Sequence, residues 1–111
     1  MPTATFIHDG NSIDYTPGST IAAGDVVVQG DLVGVAKRDI PANVLGALAV
    51  TGVFDVLKLQ GPGITFDLGQ LVYWDAGQKK ATPSGAPNKL MGKAVRGAGM
   101  GDTTVRIRLN P

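Results

Sequence analysis

The chain lacks cysteine and glutamate entirely, and it contains one histidine, His8. The absence of cysteine excludes disulfides and thiolate metal sites. With a single histidine and no glutamate, we expect no zinc or catalytic transition-metal site, and therefore no cofactor. The nine acidic residues are all aspartates, many of them beside glycines, where aspartate favours turns. The missing glutamate also argues against long surface helices.

Aromatic residues and long hydrophobic runs are also scarce. Only 5% of the residues are aromatic, and no apolar run approaches the length of a membrane span. The first residues show no basic region followed by an apolar one, so no signal peptide is predicted. We expect synthesis in the cytoplasm and no membrane partner.

Glycine and proline are abundant, at 16 and 7 residues of 111. They separate many short runs of valine, isoleucine and leucine, which favours strands joined by tight turns. The sequence predicts an all-β fold, a small β-barrel or β-sandwich of short antiparallel strands, with at most one short helix. We expect one domain over residues 1–111, with residues 1–8 as a possible extended N-terminal arm.

The strand predictions follow from alternation and from glycine breaks. The longest apolar stretch, 45–59, is predicted to form two strands or one strand bent at Gly52. The last strand, 103–109, should place Val105, Ile107 and Leu109 on one face. The other predicted strands are 12–16, 26–28, 32–36, 64–66, 71–74, 79–82 and 90–95.

The two halves of the chain contain a weak internal repeat, which we call the internal echo. Residues 24–51 contain, in order, a glycine turn, a strand, a strand of pattern x-x-Gly-x-Ala and a further apolar or alternating strand. The same order returns in residues 69–109 with different spacing. This suggests two similar β-meanders packed face to face.

The sequence contains no convincing set of catalytic residues. His8 has only Asp9 beside it, and neighbours in a strand point to opposite faces. Asp67 and Asp75 could form a carboxylate pair, but both fit turn capping better. The glycines of 97–101 resemble a phosphate loop, yet a strand rather than a helix follows. We therefore predict that the protein is not an enzyme.

Charge is unevenly distributed although the formal net charge is only +1. Residues 1–57 hold six aspartates against Lys37 and Arg38, whereas residues 58–111 hold eight basic residues against three aspartates. The basic half lacks interleaved aromatics for base stacking, so direct nucleic-acid binding is not expected, and contact with an acidic protein surface fits better. The candidate contact residues are Thr5, Phe6, Ile7, Trp74, Arg96, Arg106 and Arg108.

An ordered series of short motifs runs through nearly the whole chain. The motifs are IDYTP at 13–17, AGDVV at 23–27, LVGVA at 32–36, DIPA at 39–42, GALAVTGVF at 46–54, GQLVYWD at 69–75, KKAT at 79–82, LMGKA at 90–94 and DTTVRIRLN at 102–110. From about Thr5 to Asn110, the chain thereby resembles the bacteriophage capsid cement (decoration) proteins, a family often mislabelled as RecA/RadA recombinases. The sequence departs from the family at Asn43-Val44, where a Gly-Glu pair is common, and no Walker lysine supports the recombinase label.

The resemblance implies a structural protein on the exterior of the phage head, made in the cytoplasm of the bacterial host. Such proteins bind the assembled major capsid protein, stabilise the shell, and often form homotrimers. The N-terminal arm could add a strand to a sheet edge of the capsid. Two alternatives stay open, another phage structural part such as a head-completion or tail protein, and a small β-barrel binding module.

Overall fold

The computed structural model describes residues 3–4, 10–85 and 87–110. These residues form two antiparallel sheets and contain no helix, which confirms the predicted all-β class. The strands are β1 (Ser12–Tyr15), β2 (Val26–Gln29), β3 (Leu32–Ala36), β4 (Gly46–Ala49), β5 (Val53–Leu57), β6 (Leu71–Asp75), β7 (Lys80–Thr82), β8 (Lys89–Ala94) and β9 (Thr104–Leu109).

The first sheet has the strand order β1-β4-β3-β2. Its β2–β3 hairpin turns through two residues, Gly30 and Asp31, with Gln29 opposite Leu32. Gly30 has a φ of 61°, which a residue without Cβ adopts at no steric cost. The apolar stretch predicted at 45–59 divides into β4 and β5, and the chain breaks at Gly52, whose φ is 117°.

The second sheet has the strand order β5-β9-β8-β6-β7. A single parallel bridge between Lys58 and Ala81 joins its two ends, but the sheets do not close into a barrel. Of the two predicted architectures, the fold is therefore the sandwich. The strand predicted at 64–66 is wrong, because Phe66 alone makes a bridge, to Ala98, and one pair does not extend into a ladder.

The internal echo corresponds to a structural repeat. We call residues 11–50 the first unit and residues 52–109 the second unit. The order β1-β4-β3-β2 of the first unit matches the order β5-β9-β8-β6 of the second, and β7 is an addition. The chain therefore builds two similar β-meanders, each with one further strand paired to it.

Hydrogen bonds repeat between the units as well. The N–H of Gly24 donates to the carbonyl of Ala36, and the N–H of Gly69 donates to that of Ala94. Each of these glycines comes three residues after one partner of an isolated bridge, in the same place in each unit. The bridges join Ile21 with Ile40 and Phe66 with Ala98.

The main core lies between the two sheets. Val105, Ile107 and Leu109 of β9 are buried in it, which confirms the predicted alternation of the last strand. The first unit contributes valines from β2 and β3 to this core, among them Val33 and Val35. A smaller cluster around Leu48 lies within the first unit.

Two polar side chains stabilise the sandwich through hydrogen bonds to backbone carbonyls. The Nδ2 of Asn110 donates to the carbonyls of Val33, at 2.8 Å, and Val50, at 2.7 Å, and so ties the end of β9 to the first sheet. Lys58 is only 1% exposed, and its Nζ donates to the carbonyls of Leu59, Gly99 and Asp102 at 2.8 to 3.2 Å. Lys58 thereby anchors the turn before β9.

Candidate protein-binding face

The second sheet exposes much of one face to solvent. We define the outer face as the side of this sheet that points away from the first sheet. It is formed by alternate residues of four neighbouring strands, because successive strand residues point to opposite sides. The exposed residues of the outer face are Val53, Asp55, Leu57, Leu71, Lys93, Thr104, Arg106 and Arg108.

Strand register brings cations and apolar side chains into one row. Arg108 lies opposite Val53 on one side and opposite Lys93 on the other, and Lys93 lies opposite Leu71. The row therefore crosses four strands with two adjacent positive charges at its centre. Like charges directly opposite each other destabilise a sheet, so this pair lowers the stability of the isolated protein.

The neighbouring row contains an ion pair. Arg106 donates from Nε and Nη2 to the two carboxylate oxygens of Asp55, at 2.9 and 3.1 Å. The hydrogen bonds from Arg106 are the main reason that the pKa of Asp55 lies below its usual value, and the charge of nearby Arg96 lowers it further. The charge of Arg106 is thus neutralised by Asp55 on the same face.

The other cations of the region keep their charge available. Among the described residues, neither Lys93, Arg96 nor Arg108 forms a salt bridge. Exposed apolar side chains surround them, with Val53 at 59% and Leu57 at 57% exposure. A face that combines unpaired cations with apolar side chains suits a protein partner with an acidic surface.

The structure places the predicted contact residues in three different settings. Arg106 and Arg108 lie on the outer face, and Arg96 lies close enough to influence Asp55 there. Trp74 is only 7% exposed and packs in the main core. The predicted residues Thr5, Phe6 and Ile7 lie outside the described residues.

Sequence reasoning missed Lys93 and the apolar members of the outer face. Alternation within β5 was available as a signal for Val53 and Leu57, since their neighbours Phe54 and Val56 turn inward. Their proximity to Arg108, however, depends on strand pairing that the sequence does not specify. Lys93 becomes notable only because register sets it opposite Arg108.

Other site types find little support in the described part of the chain. No three histidine, cysteine, aspartate or glutamate side chains there lie close enough together to hold a metal ion. The described residues also contain no helix that is long and apolar enough to cross a membrane. The outer face remains the strongest candidate for a binding site.

Fold and surface together define a small β-sandwich module with an exposed, cationic and partly apolar sheet face. Residues 7–109 match the family model of phage cement proteins. The chain belongs to this family, whose members are structural parts of the phage capsid rather than enzymes. No curated protein and no solved structure matches the chain.

Proposed function

We propose that the protein binds the outer surface of the assembled phage capsid and stabilises the shell. The major capsid protein is the partner, and the outer face of the second sheet is the contact surface. The observation that carries the assignment is the Lys93–Arg108 pair, two adjacent unpaired cations flanked by exposed Val53 and Leu71. An acidic patch on the capsid would relieve their repulsion on binding.

Capsid stabilisation requires no catalytic group. A rigid sandwich held at many equivalent positions joins neighbouring capsid subunits, and many weak contacts sum through multivalency. The protein acts as a homo-oligomer in this proposal, with a trimer favoured, and each oligomer presents several outer faces to the shell. It is made in the bacterial cytoplasm and resides on the exterior of the virion. Thr5, Phe6 and Ile7 are additional contact residues toward the capsid or a neighbouring copy.

The test measures binding of the purified protein to heads that lack it, by co-sedimentation at several salt concentrations. The double variant Lys93→Glu with Arg108→Glu should lose binding by tenfold or more, roughly the effect of 1.4 kcal/mol. Wild-type binding should weaken as salt rises, because the charges lie on the surface. Electron microscopy should show the bound protein over the shell and not only at a vertex or tail.

The matched control is Lys37→Glu with Arg38→Glu, which changes the net charge equally on an exposed loop of the first sheet. This control should bind as the wild type does. Equal loss of binding in both double variants would mean that net charge, not the outer face, determines attachment. Binding to naked DNA at physiological salt, with no binding to heads, would refute the capsid assignment.

A further inference from the structure

Strand β2 ends the first sheet and leaves one edge open. The N–H of Ala36 in β3 donates to the carbonyl of Asp25, and alternate residues of β2 face β3 from there on. Val26 and Val28 therefore direct their N–H and C=O groups away from β3. Among the described residues, no strand pairs with β2 on that side. A groove of about 700 Å³ lies beside β2, so an incoming strand can reach this edge.

The second unit shows how the equivalent edge is covered. Strand β6 holds the place of β2 in the repeat, and β7 pairs with β6 on the side away from β8. The chain forms β7 within residues 76–88, which connect β6 to β8. In the first unit, only Gly30 and Asp31 connect β2 to β3, which is too short a connection to contain a strand. The first unit therefore provides no counterpart of β7 for its own edge.

The sequence of β2 does not protect the open edge either. Charged side chains on edge strands usually prevent pairing with other chains. The other three edge strands each contain one, Asp14 in β1, Asp55 in β5 and Lys80 in β7. Strand β2 is Val-Val-Val-Gln, and its three valines are only half-buried. Both the backbone and the side chains of β2 therefore have contact surface that the described residues leave uncovered.

The path of the chain favours a second copy over the same chain as the source of the missing strand. Strand β1 lies at the opposite edge of the first sheet, about 14 Å from β2 at three strand spacings. Directly before β1, Asn11 accepts hydrogen bonds from the N–H of Val50 and the hydroxyl of Thr51, two residues that lead into β5. The chain thus enters β1 beside the second sheet and not beside β2.

We propose that β2 pairs with β2 of a second copy, antiparallel and around a two-fold axis at Val27. In this register Val26 of each copy lies opposite Val28 of the other, and each of them donates and accepts one backbone hydrogen bond. The two Val27 residues form the non-hydrogen-bonded pair at the axis, where side chains approach most closely. Asp25 lies opposite Gln29, so no like charges meet. The strand is thus complementary to itself, as a two-fold contact requires.

The symmetry of this contact is compatible with binding to a shell. The two-fold axis is perpendicular to the first sheet, so the outer faces of both copies point in the same direction. Strand β2 has four residues, which makes the contact small and weak in solution. Many copies held close together on one surface would strengthen it. This inference goes beyond the proposed function, is separate from the three-fold contact of a trimer, and is tested without a capsid.

Cysteine cross-linking tests the pairing directly, because the chain contains no cysteine of its own. Val27→Cys places two thiols across the axis, within the distance that a disulfide spans. Under mild oxidation it should form covalent dimers about tenfold faster than Ile13→Cys. Ile13 is the matched control, because it is also half-buried and packs against the same small cluster, but it lies in β1 at the opposite edge.

A second variant removes a hydrogen bond that only the proposed pair uses. Val28→Pro, added to Val27→Cys, deletes an N–H that points away from β3, and proline is tolerated at such edge positions. Cross-linking should fall to the rate of Ile13→Cys. The exchange of Lys93 and Arg108 to glutamate, added to Val27→Cys, should leave the rate unchanged, which separates this contact from capsid binding.

Hydrogen exchange on the wild type gives an independent measurement. The amides of Val26 and Val28 should exchange about tenfold more slowly at high protein concentration than at low concentration. Exchange that is slow at every concentration would mean that one chain covers its own edge, and it would overturn the proposal. Equal cross-linking of Val27→Cys and Ile13→Cys would overturn it as well, and so would a rate that Val28→Pro leaves unchanged.

Discussion

Replacing the buried Lys58 by methionine should destabilise the protein substantially. Methionine keeps most of the apolar stem but removes the ammonium that donates to three backbone carbonyls. One carbonyl belongs to Leu59, just after β5, and the other two belong to Gly99 and Asp102 in the turn before β9. The substitution leaves all three without this donor. The two segments then lose their common anchor.

The expected cost follows from the hydrogen bonds and the burial of the charge. A hydrogen bond to a charged group contributes about 1.5–3 kcal/mol. Burying an ammonium costs several kcal/mol, which offsets part of that gain. When both partners of a buried ion pair are replaced by apolar residues, no polar group is left without a partner. Here the partners are backbone carbonyls, which no substitution removes, so Lys58→Met leaves them buried without their donor. We expect a loss of about 2–4 kcal/mol in the free energy of unfolding.

Urea unfolding followed by tryptophan fluorescence measures this loss, because Trp74 is the only tryptophan and is buried. In a chain of this size, the change corresponds to a fall in Tm of about 8–16 °C. Lys89→Met is the control, since Lys89 makes only an exposed ion pair with Asp31, and it should cost less than about 1 kcal/mol. A Lys58→Met variant as stable as the wild type would refute the reasoning.

Two further predictions concern equivalent glycines and acid stability. Gly92→Ala should cost about 3 kcal/mol or more in chemical unfolding, because its Cβ would lie 2.1 Å from the carbonyl oxygen of Arg108. The equivalent Gly34→Ala, where the nearest atom is the Leu48 Cβ at 3.0 Å, should cost less, and the reverse order would contradict the model of the two units. Hydrogen bonds from Lys89 and Arg106 lower the pKa of Asp31 and Asp55, so the stabilisation by these pairs is present above the usual value of 3.8 and is lost as pH falls through the lower folded pKa. Thermal unfolding of the double variant Asp31→Asn with Asp55→Asn should therefore depend less on pH below 3.8, and an unchanged acid profile would count against both pairs.

The strands could be predicted from the sequence because each is short, apolar and bounded by turn residues. The alternation of β9 and the break at Gly52 are local features, and both correspond to the structure. In the sequence, the apolar residues Ile64 and Phe66 resemble a short strand. Phe66 is indeed buried, but it makes only one bridge. Local pattern cannot distinguish a ladder from a single pair.

The binding face could be predicted only in part. Arg106 and Arg108 alternate with buried residues, so their exposure follows from the sequence. Their apolar neighbours come from β5 and β6, distant in sequence, and only the register between strands brings them together. The burial of Lys58 could not be predicted, because lysine is almost never fully buried without a partner. Its partners are backbone carbonyls, which the sequence does not reveal.

Comparison of the two units supports the proposed binding role of the outer face. In the first unit, Val26 opposite Val35 packs against the main core, and the equivalent pair in the second unit is Leu71 opposite Lys93. At this position the sheet face is thus wholly apolar where the molecule covers it, and it pairs a leucine with a lysine where it stays exposed. A face adapted only for solubility would intersperse charges of both signs, as Asp55 and Arg106 do in the neighbouring row. Lys93 and Arg108 instead place like charges side by side at a cost in stability, which a complementary acidic surface would recover on binding.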